Sequence, residues 1–245
     1  PIYLANLNSE QGVSIVAGIS DELGTSVSGA GDFNGDGLDD VIIGAPRAND
    51  AKGMSYVIYG NKTPGSQINI VNFISTQGCS IYGTQGCGSS VSGVGDFNGD
   101  GLDDVVTTND YSCYVIYGNK TSEPIYLNKL PPSLGVSVIN DQDSYFNIVS
   151  GAGDVNGDGL NDLVIGDEKA INNIGMSYVI YGVAGNPGSI SIQNLGNGGF
   201  SIAGFSQNND QTSNWGYWVS GVGNLTGGSY NDICISDSLG MAYVI

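Results

Sequence analysis

The apolar residues of this chain come in short, β-branched runs that recur, not in stripes with a helical period. A Val-Ser-Gly segment stands at four places, as SVSGAGD, SVSGVGD, IVSGAGD and WVSGVGN. An acidic turn follows each, and after it a second apolar run, DVIIGAP, DVVTT and DLVIG in the first three cases. A third run ends in a tag that barely changes: MSYVIYG at Met54, CYVIYG at Cys113, MSYVIYG at Met176 and MAYVI at Met241. A further segment follows the tag, typified by INIVNF at Ile68 and GCSIYG at Gly78. With 40 Gly in 245 residues, long helices are disfavoured, and the chain reads as four tandem units of roughly 60 to 70 residues.

Tandem units of four short strands imply an all-β fold, a β-propeller of four-stranded antiparallel blades that bury one another's faces. A β-solenoid is the rival, and its coils are usually shorter than these units. The expectation is one domain over 1–245, with repeats at about 21–83, 84–142, 143–206 and 207–245. Residues 1–20 would then supply the outer strand of the last blade, because PIYLANLNSEQGVSIVAG matches the fourth-strand segments of the other units while the chain stops at a third strand. Ring closure would pair Val13 to Ala17 with Met241 to Ile245 and hide an otherwise open edge.

The acidic turns carry the chemistry. They read DFNGDGLDD at Asp32 to Asp40, DFNGDGLDD at Asp96 to Asp104 and DVNGDGLND at Asp154 to Asp162. Oxygen-bearing side chains at loop positions 1, 3, 5 and 9, with Gly at 6, suit a hard divalent cation, and calcium accepts irregular sets of 6 to 8 oxygens. An EF-hand would need a Glu at position 12 and flanking helices; the chain has Ile43, Thr107 and Ile165 there, each in a β-rich run. An Asp/Gly turn with solvated carboxylates accounts for one such loop well and for three identical spacings poorly.

The whole pattern resembles the FG-GAP repeats of integrin alpha-subunit propellers and of bacterial integrin-like surface repeat proteins. Unit 1 matches best, with Leu23-Gly24 in place of Phe-Gly and Gly44-Ala45-Pro46 as the GAP. Cys87-Gly88 and Trp215-Gly216 keep the first glycine, whereas Tyr145-Phe146 does not. The GAP becomes Thr108-Asn109-Asp110, Gly166-Asp167-Glu168 and Ser236-Asp237-Ser238 in the later units. The resemblance implies three Ca²⁺ sites: Asp32, Asn34, Asp36, Asp40 and the Leu38 carbonyl; Asp96, Asn98, Asp100, Asp104 and the Leu102 carbonyl; Asp154, Asn156, Asp158, Asp162 and the Leu160 carbonyl. The fourth loop, Asn224 to Asp232, offers Asn224, Thr226, Gly228 and Asp232 with a single carboxylate, and is expected to be empty.

Composition narrows the function. Six Lys+Arg against 24 Asp+Glu give a formal charge of −18, so nucleic acid would be repelled and no basic patch serves a membrane surface. No apolar run approaches the length of a membrane-spanning helix, which excludes direct insertion by that route. The absence of His removes most triad and zinc schemes, and the clustered carboxylates that a glycosidase would need are already in the loops, so no enzyme is expected. Cys79 and Cys87 flank one turn and could pair in an oxidising compartment, while Cys234 reads as a small buried apolar residue. Sequons stand at Asn61, Asn119 and Asn224.

The function expected is a calcium-stabilised extracellular or cell-surface adhesion module that takes a protein or glycan ligand on the face opposite the calcium loops. A structural repeat of a surface layer or filament, with self-assembly, is the alternative, as is a glycan-binding propeller. The variable loops gathered opposite the metals include Arg47 to Lys52, Asp141 to Tyr145, Glu168 to Ile174 and Gln207 to Tyr217, with Trp215, Tyr217 and Trp218 as a candidate patch or as packing residues.

Overall fold

The computed structural model describes residues 7–8, 11–62, 67–109, 111–140, 145–205 and 213–245. Nineteen strands are found among them, and no helix there exceeds a short hook. Strand β1 is Ser14–Val16. Unit 1 contributes β2 (Val27–Gly31), β3 (Asp40–Ala45), β4 (Met54–Ile58), β5 (Gln67–Asn69) and β6 (Gly78–Tyr82). Unit 2 contributes β7 (Val91–Gly95), β8 (Asp104–Thr108), β9 (Ser112–Ile116), β10 (Ile125–Tyr126) and β11 (Gly135–Ile139). Unit 3 contributes β12 (Ile148–Gly153), β13 (Asp162–Asp167), β14 (Met176–Ile180), β15 (Ile190–Ser191) and β16 (Gly199–Ala203). Unit 4 ends the series with β17 (Trp218–Gly223), β18 (Asp232–Ser236) and β19 (Ala242–Val244).

Each unit folds as an antiparallel meander, and β2, β7, β12 and β17 lie side by side in sequence order. Several antiparallel sheets arranged face to face in this way are consistent with a propeller-like fold. One feature departs from four-stranded blades. The short strand that follows each tag crosses to the preceding unit and pairs in parallel with its outer strand, β10 with β6 and β15 with β11. The sheets of units 1 and 2 therefore have five strands, that of unit 3 four, and that of unit 4 three among the described residues.

The core is cut into slabs between neighbouring sheets. Phe33, Ile42, Val57 and Ile81 of unit 1 pack against Val91, Val105 and Ile116 of unit 2. Phe97, Val106, Val115 and Val138 of unit 2 meet Val149, Leu163, Tyr178 and Ile180 of unit 3. Val164 and Val179 of unit 3 meet Trp215, Val219, Ile233 and Ile235 of unit 4. These β-branched runs are buried on both faces of their sheets, which is why they do not alternate with polar residues.

Two motifs find their physical reason at these junctions. A Cβ on Gly44 would sit 1.9 Å from the Gly88 carbonyl oxygen, and one on Gly166 would sit 2.2 Å from that of Gly216. The glycine of one unit's GAP segment thus faces the first glycine of the next unit, and backbone meets backbone with no room for a side chain. Both positions change together between units 2 and 3, where Thr108 and Phe146 stand instead and are buried. The Val-Ser-Gly serines lace the inner strands together. Ser26 and Ser28 accept from the Val91 and Gly93 N–H groups at 3.0 and 3.3 Å, and Ser90 and Ser92 from those of Val149 and Gly151 at 3.1 and 3.3 Å. A parallel contact that lacks a ladder of its own gains hydrogen bonds in this way.

The ladder expected between Val13 to Ala17 and the last strand is not present among the described residues. Strand β1 pairs in parallel with β5, Ile15 opposite Ile68, and β19 pairs with β18. Strand β1 therefore stands to β5 as β6 does to β10, the parallel partner of a short strand that crosses out of its own unit. The Cys79–Cys87 pairing that the sequence left open is not formed, and all four cysteines are free. The Cys79 thiol donates to the Glu123 carbonyl at 3.3 Å, whereas Cys87 lies 3.6 Å from the Thr107 hydroxyl. Cys234 is half-buried, at the strand position that Ile42 holds in unit 1.

Candidate metal loops

The three acidic loops connect β2 to β3, β7 to β8 and β12 to β13, and the fourth connects β17 to β18. In all four units the incoming strand carries a register shift two residues before its end, next to Ala30, Val94, Ala152 and Val222. Such a bulge bends the strand and aims the loop. At position 6, Gly37, Gly101 and Gly159 have φ of 86, 87 and 90°, in the left-handed region that a Cβ would strain.

Asp at position 1 is the hub of each loop. Asp32 accepts from the N–H groups of Asp36 and Gly37, both at 2.9 Å. Asp96 accepts from Gly99, Asp100 and Gly101, and Asp154 from Gly157 and Gly159. Position 5 does the same on a smaller scale: Asp36, Asp100 and Asp158 accept from the N–H groups of Leu38, Leu102 and Leu160 at 2.9 Å. The Asn98 and Asn156 amides donate to Asp100 and Asp158, each at 2.9 Å.

Position 9 has a role that the sequence did not reveal. Asp40, Asp104 and Asp162 are buried, and one oxygen of each accepts from the glycine that ends the Tyr-Gly tag, Gly60, Gly118 or Gly182, at 2.8, 2.8 and 2.7 Å. Their second oxygen accepts from the loop's own position 2 or 3, Asn34, Phe97 with Asn98, or Val155. This carboxylate clasps loop to third strand. Position 8 was also missed: Asp103 accepts from the Asp32 N–H at 2.7 Å, and the Asn161 and Asn231 N–H groups donate to the Asp96 and Asp154 carbonyls. A polar residue in an acidic turn looks solvated in sequence, and its partner lies in another unit.

Among the described residues no group of three or more His, Cys, Asp or Glu is already gathered as a metal cluster; the loop carboxylates are turned to backbone N–H groups. The donor set nevertheless fits a hard cation. Each carboxylate has about four lone-pair sites, of which these bonds use a part. The three carboxylates of each loop repel one another: burial first, and then Asp36 and Asp32, push Asp40 up to about 6. Burial, Asp100 and Asp96 push Asp104 to about 7, and burial, Asp158 and Asp154 push Asp162 to about 6. The Tyr117 hydroxyl, buried and without a hydrogen-bond partner among the described residues, lies close enough to Asp104 and Asp100 to feel their charge. The cation among the described residues that forms an ion pair, Arg47, pairs with Glu22 and not with a loop.

The fourth loop differs in kind. Asp232 keeps the loop half of the clasp, accepting from the Leu225 and Thr226 N–H groups at 2.7 Å and from the Thr226 hydroxyl at 3.1 Å. The Thr226 N–H, foremost, holds its carboxyl below the usual range. Asn224 turns an N–H donor inward, onto the Gly228 carbonyl at 2.6 Å, and a donor cannot ligate a cation.

These shifts have a sign. The raised carboxyls in loops 1 to 3 mean that the native chain holds more protons than the unfolded chain between pH about 4 and about 7. In metal-stripped buffer, stability should fall as pH rises through that window. With calcium present the slope should weaken or reverse, because a cation favours the ionised form. Thermal melts at several pH values, with and without calcium, check this; a metal-stripped chain that gains stability across the window would contradict it.

At the opposite end of the sheets lie the loops joining β3 to β4, β8 to β9, β13 to β14, and the unit-to-unit connections. Residues 141–144 and 207–212 of the expected loops fall outside the described residues. Asn49, Asp50 and Ala51, and equivalently Ile171, Asn172 and Asn173, take left-handed backbone conformations, an uncommon strain for Ile171. Tyr111 and Tyr145 are exposed with ring centroids 5.1 Å apart, and the Lys169 ammonium lies 4.4 Å from the Tyr145 ring. Tyr217 and Trp218 are exposed as well. Trp215 takes the packing alternative and not the patch: it is buried between units 3 and 4 and donates its indole N–H to the Phe205 carbonyl at 3.0 Å.

The FG-GAP repeat family matches residues 23–58 and 88–115, the segments that hold the Gly44–Gly88 contact and the first two acidic loops. Integrin alpha pat-2 of Caenorhabditis elegans is 36% identical over 210 residues, 76% of this chain and 16% of that protein. Integrin alpha pat-2 of Caenorhabditis briggsae is 35% identical over 171 residues, 62% of this chain and 13% of the relative. Integrin alpha-2 of Mus musculus is 28% identical over 123 residues, 43% and 10% of the two chains. The chain thus spans less than a fifth of the length of these curated relatives.

Proposed function

This chain carries FG-GAP repeats and is similar to integrin alpha subunits, and on that premise we propose that it is a calcium-stabilised, extracellular adhesion-type module, built as a β-propeller of blades and binding its partner rather than transforming it. The observation that carries the calcium reading is the threefold recurrence of a buried Asp clasp beneath two further carboxylates, none of them in an ion pair with a Lys or Arg among the described residues. Calcium tolerates the mixed carboxylate, amide and carbonyl donors that Asp32, Asn34, Asp36, Leu38 and their equivalents offer. Bound there, it would neutralise the loop charge and fix the hairpin tips.

Recognition is assigned to the opposite end, where Tyr111, Tyr145, Tyr217 and Trp218 are exposed beside Lys169 on loops held by a rigid scaffold. Aromatic residues are enriched in interface hot spots, which supports a protein partner over a purely structural repeat. No helix among the described residues is long and apolar enough to cross a membrane. Ion counting on the purified chain tests the metal assignment. Three calcium ions per chain are expected, and two for Asp36→Ala; a fourth ion that disappears on changing Asn224 would show the fourth loop to be misread.

A further inference from the structure

The acidic loops are joined in series, each gripped by the unit that follows it at the residues that would hold its ion. The Asp103 side chain of loop 2 accepts the N–H of Asp32, the first residue of loop 1, at 2.7 Å, while the Asp103 N–H donates to the Asp32 carbonyl at 3.4 Å. One junction on, the Asn161 N–H of loop 3 donates to the Asp96 carbonyl of loop 2 at 2.9 Å, and the Val183 and Gly185 N–H groups donate to the Phe97 and Asn98 carbonyls at 2.9 and 3.3 Å. The Asn231 N–H of loop 4 holds the Asp154 carbonyl of loop 3 at 3.0 Å. The glycine before each position 1 belongs to this grip: a Cβ on Gly31, Gly95 or Gly153 would run into the side chain of Asp103, Asn161 or Asn231.

Position 8 therefore faces two ways. Within its own loop it lies between the position 7 carbonyl and the position 9 carboxylate, both assigned to calcium, and across the junction it fixes the first residue of the loop before it. Among the described residues the loop carboxylates are not gathered as a cluster but turned to backbone N–H groups, so an ion has to regroup a loop in order to bind. Regrouping loop 2 resets Leu102 and Asp104, and Asp103 between them carries the change to Asp32.

We propose that Asp103 and Asn161 are positioning residues that couple neighbouring loops, so that calcium in one loop raises the affinity of the next and the three ions enter cooperatively. The proposal rests on the calcium reading above and adds to it a coupling between the sites. The ordering that the first ion imposes is already in place for the second, which makes the coupling positive, and linkage makes it equal in both directions. The series ends at loop 4, where Asn231 stands beside Asp232, the one carboxylate of a loop expected to be empty.

Calcium titration followed by NMR tests this loop by loop, because the Gly37, Gly101 and Gly159 amides each donate to the first Asp of their own loop at 2.9 Å and report on its ion. Emptying loop 2 with Asp100→Ala should weaken loop 1 about fivefold or more, and emptying loop 1 with Asp36→Ala should weaken loop 2 by the same factor. Asp103→Ala should leave three ions per chain and abolish the response of loop 1 to Asp100→Ala. Asp103→Asn, which keeps an acceptor for the Asp32 N–H, should restore that response. In calcium-free buffer Asp103→Ala should also speed hydrogen exchange at the Asp32 amide. Loops whose midpoints do not depend on one another overturn the coupling and leave the calcium assignment standing. An Asp103→Asn chain that behaves as Asp103→Ala overturns the tie in favour of simple charge. Glycine amides that ignore calcium altogether overturn the calcium reading and this inference with it.

Discussion

Stripping divalent cations from the purified chain should lower its melting temperature steeply. A ligand that binds only the native state stabilises it by RT ln(1 + [L]/Kd), about 2.7 kcal/mol per site at a hundredfold excess over Kd. Three such sites contribute about 8 kcal/mol, comparable with the whole stability of an ordinary domain, about 5–15 kcal/mol. Chelation therefore threatens the fold itself, since it also leaves Asp32, Asp36 and Asp40 and their counterparts to repel one another. Magnesium should restore little, because it demands tight octahedral geometry and keeps its water. Superimposable melting curves in calcium and in excess EGTA would remove calcium from the account of this protein's stability.

The second large effect comes from a single ring. Phe97 is fully buried at loop position 2, under the second acidic loop and in the slab between units 2 and 3. Phe97→Ala should cost about 3–5 kcal/mol, the transfer term plus an unfilled cavity. Leu225 occupies the same loop position in unit 4, where it is exposed, and Leu225→Ala should change stability by less than about 0.5 kcal/mol in dilute solution. Urea midpoints for the two variants give the comparison directly. Equal losses would mean that the loop position, and not the slab beneath it, sets the cost.

The contrast between those residues marks what the sequence could and could not convey. The repeats, the all-β class and the loop spacing were legible because each pattern recurs and chance does not repeat a nine-residue spacing three times. The fate of the N-terminal strand was not. Gly12 to Ile15 spell a fourth strand, but a strand has two edges with the same donors and acceptors, and nothing in those letters says which edge is taken within the chain. Trp215, open in the sequence to a patch or a packing role, proves to be a packing residue. It stands beside exposed Tyr217 and Trp218 in the sequence, yet its ring is turned to fill the space between sheets of units 3 and 4. Asp103, Asn161 and Asn231 read as solvated turn residues because their partners, Asp32, Asp96 and Asp154, lie in the preceding unit, 71, 65 and 77 residues upstream.

The clasp at loop position 9 has a consequence for how such repeats can drift. Asp40, Asp104, Asp162 and Asp232 all fold their loop by accepting backbone N–H groups, whether or not the other carboxylates stand beside them. Shape and ion capture are thereby uncoupled: the loop's geometry is inherited from hydrogen bonds, and its affinity for a cation from positions 1, 3 and 5. A unit can shed its carboxylates one substitution at a time and still present the same hairpin to its neighbour. The loop at Asn224, whose only carboxylate is Asp232, still ties to its neighbour through the Asn231 N–H on the Asp154 carbonyl.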